Sequence, residues 1–191
     1  MSENSIEKLF FQGKFPQITK QQKKMKVSDL PYLVGALSFT GQIVEARQVM
    51  KQSQNKDVLG SFFLGLGLTR ASEYEMARRQ FLRVFKNRSS PFDNYLLCQG
   101  MAFYNFFTCR FVLAEKWLLR AQKNLPTHFK NSFWDLILKD LTFYVLLHRG
   151  QLNTGKENAI QALKIAKKIN NSFTVEAIQV ALVIYESNYG T

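Results

Sequence analysis

Apolar side chains recur along this chain with the spacing of α-helices. Ala114, Trp117, Leu118 and Ala121 stand at i, i+3, i+4 and i+7, so they share one helical face, and residues 158–169 repeat the spacing. No segment shows a convincing strand alternation bounded by Gly or Pro turns. The pattern therefore predicts a nearly all-α protein.

Turn-forming residues divide this helical pattern into short pieces. The chain has only 10 Gly and 4 Pro in 191 residues, which disfavours a turn-dense sandwich or barrel. The pieces between the breaks are mostly about 10 to 17 residues long, as expected of globular helices. The predicted breaks lie at Gly13, 27–31, Gly41, 52–57, 87–91, 126–128, Gly150 and 170–172.

A short motif recurs at the start of every second predicted helix. A small residue is followed four positions later by a larger apolar one, and an apolar side chain precedes it by two or three positions. Small residues are needed where two helices cross closely, and large ones fill the groove between neighbours. The pairs are Ala46 and Met50, Ala77 and Phe81, Ala114 and Leu118, and a weaker Gly155 and Ala159.

This recurrence resembles the tetratricopeptide repeat over residues 28–169. The resemblance implies antiparallel helix hairpins stacked into an α-solenoid, as one domain spanning residues 1–191. Residues 1–27 would then form a leading helix and a basic connector, and residues 170–191 a terminal helix that caps the array. A generic α-solenoid or an irregular helical bundle is the alternative architecture.

A narrower resemblance, over residues 5–125, is to the class II chaperones of type III secretion. It implies a chaperone that holds an extended segment of a secreted translocator in its concave groove. The motifs that carry it are Leu9-Phe-Phe-Gln-Gly13, Asp29-Leu-Pro-Tyr32, Asp57-Val-Leu-Gly-Ser-Phe-Phe-Leu-Gly-Leu-Gly-Leu-Thr-Arg70, Tyr74-Glu-Met-Ala77, Ser90-Pro91 and Ala114…Ala121.

In such an array, the first helix of each hairpin lines the concave face. We therefore expect a partner-binding groove formed by Phe39, Phe62, Leu66, Arg70, Phe103, Phe106, Phe107 and Tyr144. Phe103, Phe106 and Phe107 share one helical face. The alternative for this aromatic stripe is that it is simply core between stacked hairpins.

The chain is strongly basic, with 26 Lys and Arg against 14 Asp and Glu and a formal charge of +12. Arg78, Arg79, Arg83 and Lys86 are predicted to form a basic surface on one helix. An acidic protein, an anionic lipid surface and a nucleic acid would all suit such a surface, and a merely solvated helix face is the alternative. No recognition helix or base-stacking platform accompanies it, so nucleic acid is the least favoured partner.

No arrangement of residues in the sequence indicates catalysis, a cofactor or a metal. His128 and His148 lack Cys, Asp or Glu at ligand spacing, and acidic residues are scattered singly. The longest mostly apolar run, residues 58–69, is too short to span a bilayer, and the N-terminus lacks the features of a secretory signal.

We therefore expect a non-enzymatic protein, located in the cytoplasm, that acts as a peptide-binding chaperone or adaptor. A regulatory or scaffold module that binds a folded partner or an effector is the alternative function, and self-association is left open.

Overall fold

The computed structural model describes residues 5–52 and 57–189, and within them the chain is all-α, with no strand. This confirms the all-α part of the prediction. Part of the predicted break at 52–57 and both ends of the predicted domain lie outside the described residues. The described α-helices are α1 (Ile6–Phe11), α2 (Phe15–Lys20), α3 (Leu30–Phe39), α4 (Ile43–Gln52), α5 (Val58–Arg70), α6 (Tyr74–Asn87), α7 (Pro91–Phe107), α8 (Phe111–Asn124), α9 (Phe133–His148), α10 (Leu152–Lys168) and α11 (Ser172–Tyr189).

The same three-residue turn joins the helices of each of four pairs, α3–α4, α5–α6, α7–α8 and α9–α10. Its middle residue has a positive φ and is Gly41, Ser72, Cys109 or Gly150. The residue after the positive-φ position donates its backbone N–H to a carbonyl of the preceding helix. In the first pair, Gln42 donates to the Leu37 carbonyl at 2.8 Å, and the other three pairs have the equivalent hydrogen bond. This is the usual way to cap a helix C-terminus.

Each turn fixes where the next helix crosses its partner. Ala46, Ala77, Ala114 and Gly155 each lie five residues beyond the positive-φ residue of the preceding turn. The three alanines have no exposed surface, and Gly155 is buried. The burial that the sequence predicts for Ala77 and Ala114 is thus confirmed, and Ala46 and Gly155 at the corresponding positions are buried as well.

The helices pack in a consistent order along the chain. Within each of the four pairs the two helices lie against each other, and α5 also packs against both α3 and α7, while α7 touches α9. First helices of successive hairpins are therefore neighbours. The final helix, α11, packs against α10.

The ring of Phe81 fixes the packing of the second and third hairpins. It projects from α6 between Gly65 of α5 and Gly100 of α7 and is 1% exposed. A Cβ atom at Gly100 would lie 2.4 Å from the Cε1 atom of Phe81, and one at Gly65 would lie 2.6 Å from it. The ring can occupy this position because neither glycine carries a side chain.

The N-terminal segment differs from the predicted leading helix and basic connector. It contains two short helices, α1 and α2, followed by single 3₁₀ turns at Gln22–Lys24 and Val27–Asp29. Phe10 of α1 is fully buried, with its ring centroid 4.7 Å from that of Phe63 and 5.4 Å from that of Phe133. The segment therefore packs against helices that are distant in sequence.

The same segment reaches the C-terminal part of the chain. The Asn171 side chain donates a hydrogen bond to the Phe11 carbonyl at 2.9 Å, and the rings of Phe15 and Phe173 lie 5.5 Å apart. Phe15 also stacks on Phe39 of α3 at 5.2 Å. The N-terminal helices thus bridge the first hairpin and the last helix.

Candidate ligand-binding cavity

A cavity of about 370 Å³ lies between the first helices and the final helix. Its wall comes mainly from α5, α7, α9 and α11, with Phe15 of α2 and Phe39 of α3 at one side. This volume falls within the range of small-ligand pockets, about 300–1,000 Å³. Because each wall belongs to a different helix, the cavity depends on the tertiary packing.

Seven of the eight residues predicted to form the groove line this cavity. They come from α3, α5, α7 and α9, the first helices of the four hairpins. They are Phe39, Leu66, Arg70, Phe103, Phe106, Phe107 and Tyr144.

The eighth predicted residue, Phe62, does not line the cavity, so its assignment to the groove was wrong. It has no exposed surface, and its ring lies 5.3 Å from that of Phe63 and 6.4 Å from that of Trp134. Phe62 and Leu66 are four residues apart and share a helical face. Trp134 of α9 lies near Phe62 at the earlier turn of that face, whereas Leu66 at the later turn lines the cavity.

The aromatic wall of the cavity is only partly buried. Phe103, Phe106 and Phe107 all keep some exposed surface, although they pack on one another with centroid distances of 4.6 and 5.4 Å. A Phe ring that fills the core has no exposed surface, as Phe62, Phe63 and the other fully buried rings show. The stripe on α7 therefore forms a cavity wall rather than the interior of a helix interface.

Arg70 provides the positive charge of the cavity. It is the last residue of α5, and its guanidinium carbon lies 5.5 Å from the ring centre of Phe39 and 5.9 Å from that of Phe103. Partial desolvation lowers the pKa of Arg70, while Asp140 and Tyr144 act in the opposite direction, and the residue keeps substantial exposed surface. An arginine stays charged under such conditions.

Asp140 of α9 provides a carboxyl group on another wall. Desolvation raises its pKa from 3.8 to about 6, and the positive charge of Arg70 opposes that rise. Desolvation also raises the pKa of Tyr144 to about 12. Among the described residues, neither Arg70 nor Asp140 makes an ion pair or a side-chain hydrogen bond. The cavity therefore holds two opposite charges that are not directly paired.

Gln99 of α7 adds an unpaired hydrogen-bond acceptor. Gln99 is 3% exposed, and its Nε2 atom donates to the Ile137 carbonyl at 3.0 Å. Its Oε1 atom has no hydrogen-bond partner among the described residues. A buried acceptor left unpaired costs about 1–3 kcal/mol, so such groups are uncommon in folded proteins.

Sequence reasoning missed Asp140 and Gln99 and the walls supplied by α2 and α11. Asp140 left one signal, since a charged residue interrupts the apolar face of α9. Gln99, Asn171 and Phe173 left none, because their place in the wall depends on how α7 and α11 pack.

The predicted basic surface lies elsewhere, on the solvent side of α6. Arg78, Arg79 and Lys86 are exposed, and Arg83 is partly buried and donates to Gln80 Oε1 at 3.3 Å. None of the four lines the cavity. Any role of this surface is therefore separate from that of the cavity.

No group of three His, Cys, Asp or Glu side chains is placed to hold a metal ion within residues 5–52 and 57–189. In the same part of the chain, no helix combines the length and apolarity that crossing a bilayer requires.

Comparisons of the chain with protein families, curated proteins and solved structures give no match.

Proposed function

We propose that this protein is a non-catalytic adaptor or chaperone of tetratricopeptide-like architecture, which binds a protein partner through an apolar anchor inserted into the cavity. The observation that carries the proposal is that seven side chains from four successive hairpins surround one aromatic cavity. A translocator chaperone of type III secretion is the specific form that the sequence motifs favour.

The repeated turn supports the tetratricopeptide-like part of this proposal. Four hairpins share one turn geometry and one position for the small residue, and their first helices are neighbours in space. Repeat proteins stack in this way and form a continuous binding surface from successive elements. In this arrangement, α11 serves as the terminal cap.

The size of the cavity indicates one anchor rather than a long extended segment. Helices α1 and α2 occupy the space beside Phe39, Phe63 and Phe133, and an extended partner cannot fill that part of the array. The remaining cavity suits one or two large side chains. Burying one such side chain contributes about 1.5–3 kcal/mol, and aromatic walls are typical of hot spots in interfaces.

The proposal is tested by selecting linear peptides from a display library on the full chain and measuring their affinity. Phe106→Ala should weaken binding by about 2 kcal/mol or more, or roughly 30-fold, as expected of an anchor contact. Phe85→Ala is the matched control, because Phe85 is 49% exposed on α6 and does not line the cavity. Equal binding by both variants, or no selected peptide at all, would contradict the proposal.

A second candidate function uses the outer surface of α6. Two large apolar side chains, Leu82 at 46% and Phe85 at 49% exposed, lie among the basic residues there. Mixed basic and apolar surfaces are suited to an acidic folded partner, since charge steers the encounter and apolar contacts hold the complex. This candidate corresponds to a scaffold module, and it predicts binding that Phe85→Ala weakens and Phe106→Ala does not.

A further inference from the structure

We propose that the exposed faces of α6, α8 and α10 together bind the surface of a membrane that contains anionic lipids. Lysines of this three-helix surface contact the headgroup phosphates, and the aliphatic side chains beside them enter the boundary between headgroups and acyl chains. The proposed binding is peripheral, with the helix faces against the headgroups. The site is separate from the cavity, and it extends beyond the face of α6 considered above for an acidic partner.

The positive charge of the hairpins lies on their second helices. Helices α4, α6, α8 and α10 carry 13 Lys and Arg against 4 Asp and Glu, whereas the first helices, α3, α5, α7 and α9, carry 2 Lys and Arg against 3 Asp and Glu. In these described helices, none of the 13 basic residues is buried. One helix of each hairpin is therefore exposed and basic, and the other is almost neutral.

Contacts between successive hairpins place α6, α8 and α10 side by side. The Tyr74 hydroxyl at the start of α6 donates to the Phe107 carbonyl, just before α8, at 3.3 Å. In the same way, the Glu115 carboxylate near the start of α8 accepts from the Gln151 side chain, just before α10, at 3.3 Å. Helix α6 packs on both α5 and α7, and α8 packs on both α7 and α9. The three helices therefore form one row, with their N-terminal ends adjacent.

An exposed aliphatic residue, followed by a lysine one turn later, recurs at the same position on each helix of this row. The aliphatic residue stands five positions after the buried small residue and is between 37% and 56% exposed, and the lysine is exposed as well. At 100° per residue, both positions lie on the side of the helix opposite the small residue. Each helix thus presents the same pair to solvent. The pairs are Leu82 and Lys86 on α6, Leu119 and Lys123 on α8, and Ile160 and Lys164 on α10.

The repeated pair indicates a partner that offers negative charge and hydrocarbon over a wide area. A nucleic acid offers phosphates, but it is bound through aromatic stacking and hydrogen bonds rather than through exposed aliphatic side chains. A protein partner usually inserts its own anchors into pockets. None of the six paired side chains lines any of three cavities of about 350 to 380 Å³ in the described part of the chain. The headgroup region of an anionic bilayer offers both chemistries and requires no cavity.

The test is flotation of the full chain with two kinds of vesicle. Vesicles of phosphatidylcholine mixed with phosphatidylserine should bind the protein at least about tenfold more strongly than vesicles of phosphatidylcholine alone, and added salt should weaken this binding. Equal binding to both kinds of vesicle would overturn the proposal. This comparison needs no variant, so it does not depend on how any variant folds.

A charge variant locates the contact on the surface. The three lysines of the repeated pairs are changed together to glutamine, which should weaken binding to the mixed vesicles roughly 100-fold, because each cation near an anionic surface contributes about fivefold. The matched control removes the same charge from exposed positions on the N-terminal segment, with Lys20→Gln, Lys23→Gln and Lys24→Gln. The control should bind much more tightly than the first variant. Equal losses in the two variants would refute the assignment of this surface.

An apolar variant separates a bilayer from an acidic protein. Leu82→Gln, Leu119→Gln and Ile160→Gln keep good helix formers at exposed positions, so the fold should be retained, which a thermal melt checks. Combined, they should weaken binding to the mixed vesicles at least about tenfold, because no aliphatic side chain then enters the interface. Soluble polyglutamate, an anion without hydrocarbon, should bind the wild type far more weakly than the mixed vesicles do. Unchanged vesicle binding by this variant, or equally tight binding of polyglutamate, would overturn the proposal and indicate an acidic protein partner.

Discussion

Replacing Gly100 with alanine tests the packing that holds the second and third hairpins together. The added methyl group would lie 2.4 Å from Phe81 Cε1 and 2.6 Å from its Cδ1. Ordinary contacts of a Cβ atom lie at 3.4–4 Å, so the ring must shift by about 1 Å. It cannot do so freely, because Gly65 of α5 also lies against the ring and the residue is 1% exposed.

The expected loss follows from two opposing effects. Overpacking a filled core costs roughly 1–3 kcal/mol. Alanine is better than glycine inside a helix by about 1 kcal/mol, which offsets part of this cost. The net destabilisation should be at most about 2 kcal/mol, which for a chain of this length lowers the Tm by up to roughly 8 °C.

The assay is urea unfolding followed by circular dichroism, with Gly155→Ala as the matched control. At Gly155 the nearest atoms to an added Cβ lie 3.4–3.6 Å away, so the site has room for a methyl group. This control should be more stable than the wild type by about 0.5–1 kcal/mol. Phe81→Leu should remove most of the penalty of Gly100→Ala. If Gly100→Ala is as stable as Gly155→Ala, the assigned packing of Phe81 is wrong.

Three further predictions follow from the turns, the cavity and the basic surface. Ser72→Gly should stabilise the fold by about 1 kcal/mol and Gly41→Ala should destabilise it by a similar amount in urea titrations, because both positions have a positive φ. Folding raises the pKa of Asp140 from 3.8 to about 6, so the stability that this carboxyl group contributes is full below pH 4 and is lost as the pH rises through 6. Relative to the wild type, Asp140→Asn should therefore gain up to roughly 3 kcal/mol of stability at pH 8 and little at pH 4. An equal difference at both pH values would contradict this prediction. Arg79→Glu with Arg83→Glu should slow association with an acidic partner and flatten its salt dependence in stopped-flow measurements, and an unchanged rate at low salt would mean that these residues are only a solvated face.

The helical fold and the hairpin register could be predicted from the sequence because both depend on local patterns. The spacing of apolar residues fixes helices, and a small residue such as Ala77 marks where two of them cross. Most of the predicted cavity residues could be identified from this register, because corresponding positions on the first helices face the same cavity. Arg70 and Phe106 were found in this manner.

The errors arose where distant segments decide the outcome. Phe62 has the same local pattern as Leu66, but Phe62 packs near Trp134 with no exposed surface, whereas Leu66, at 5% exposed, lines the cavity. The placement of α1 depends on Phe10 meeting Phe63 and Gly35, and at Gly35 a side chain would clash with the ring. No local pattern carries such information, because these contacts join residues far apart in sequence.

The polar groups of the cavity could not be predicted for a related reason. A lone Gln99 or Asp140 in a helix reads as an ordinary polar position until the neighbouring helices are placed around it. Its missing partner and its raised pKa are properties of the packed structure, not of the residue.

The central claim is that the aromatic cavity receives the partner's apolar anchor, and mapping the contact site tests it most directly. A library-selected peptide is titrated into the isotope-labelled chain, and the shifts of the amide and methyl signals are followed. We expect the largest changes at Leu66, Phe103, Phe106 and Tyr144, with saturation that Phe106→Ala abolishes. Changes confined to the solvent side of α6, around Leu82 and Phe85, would contradict the claim.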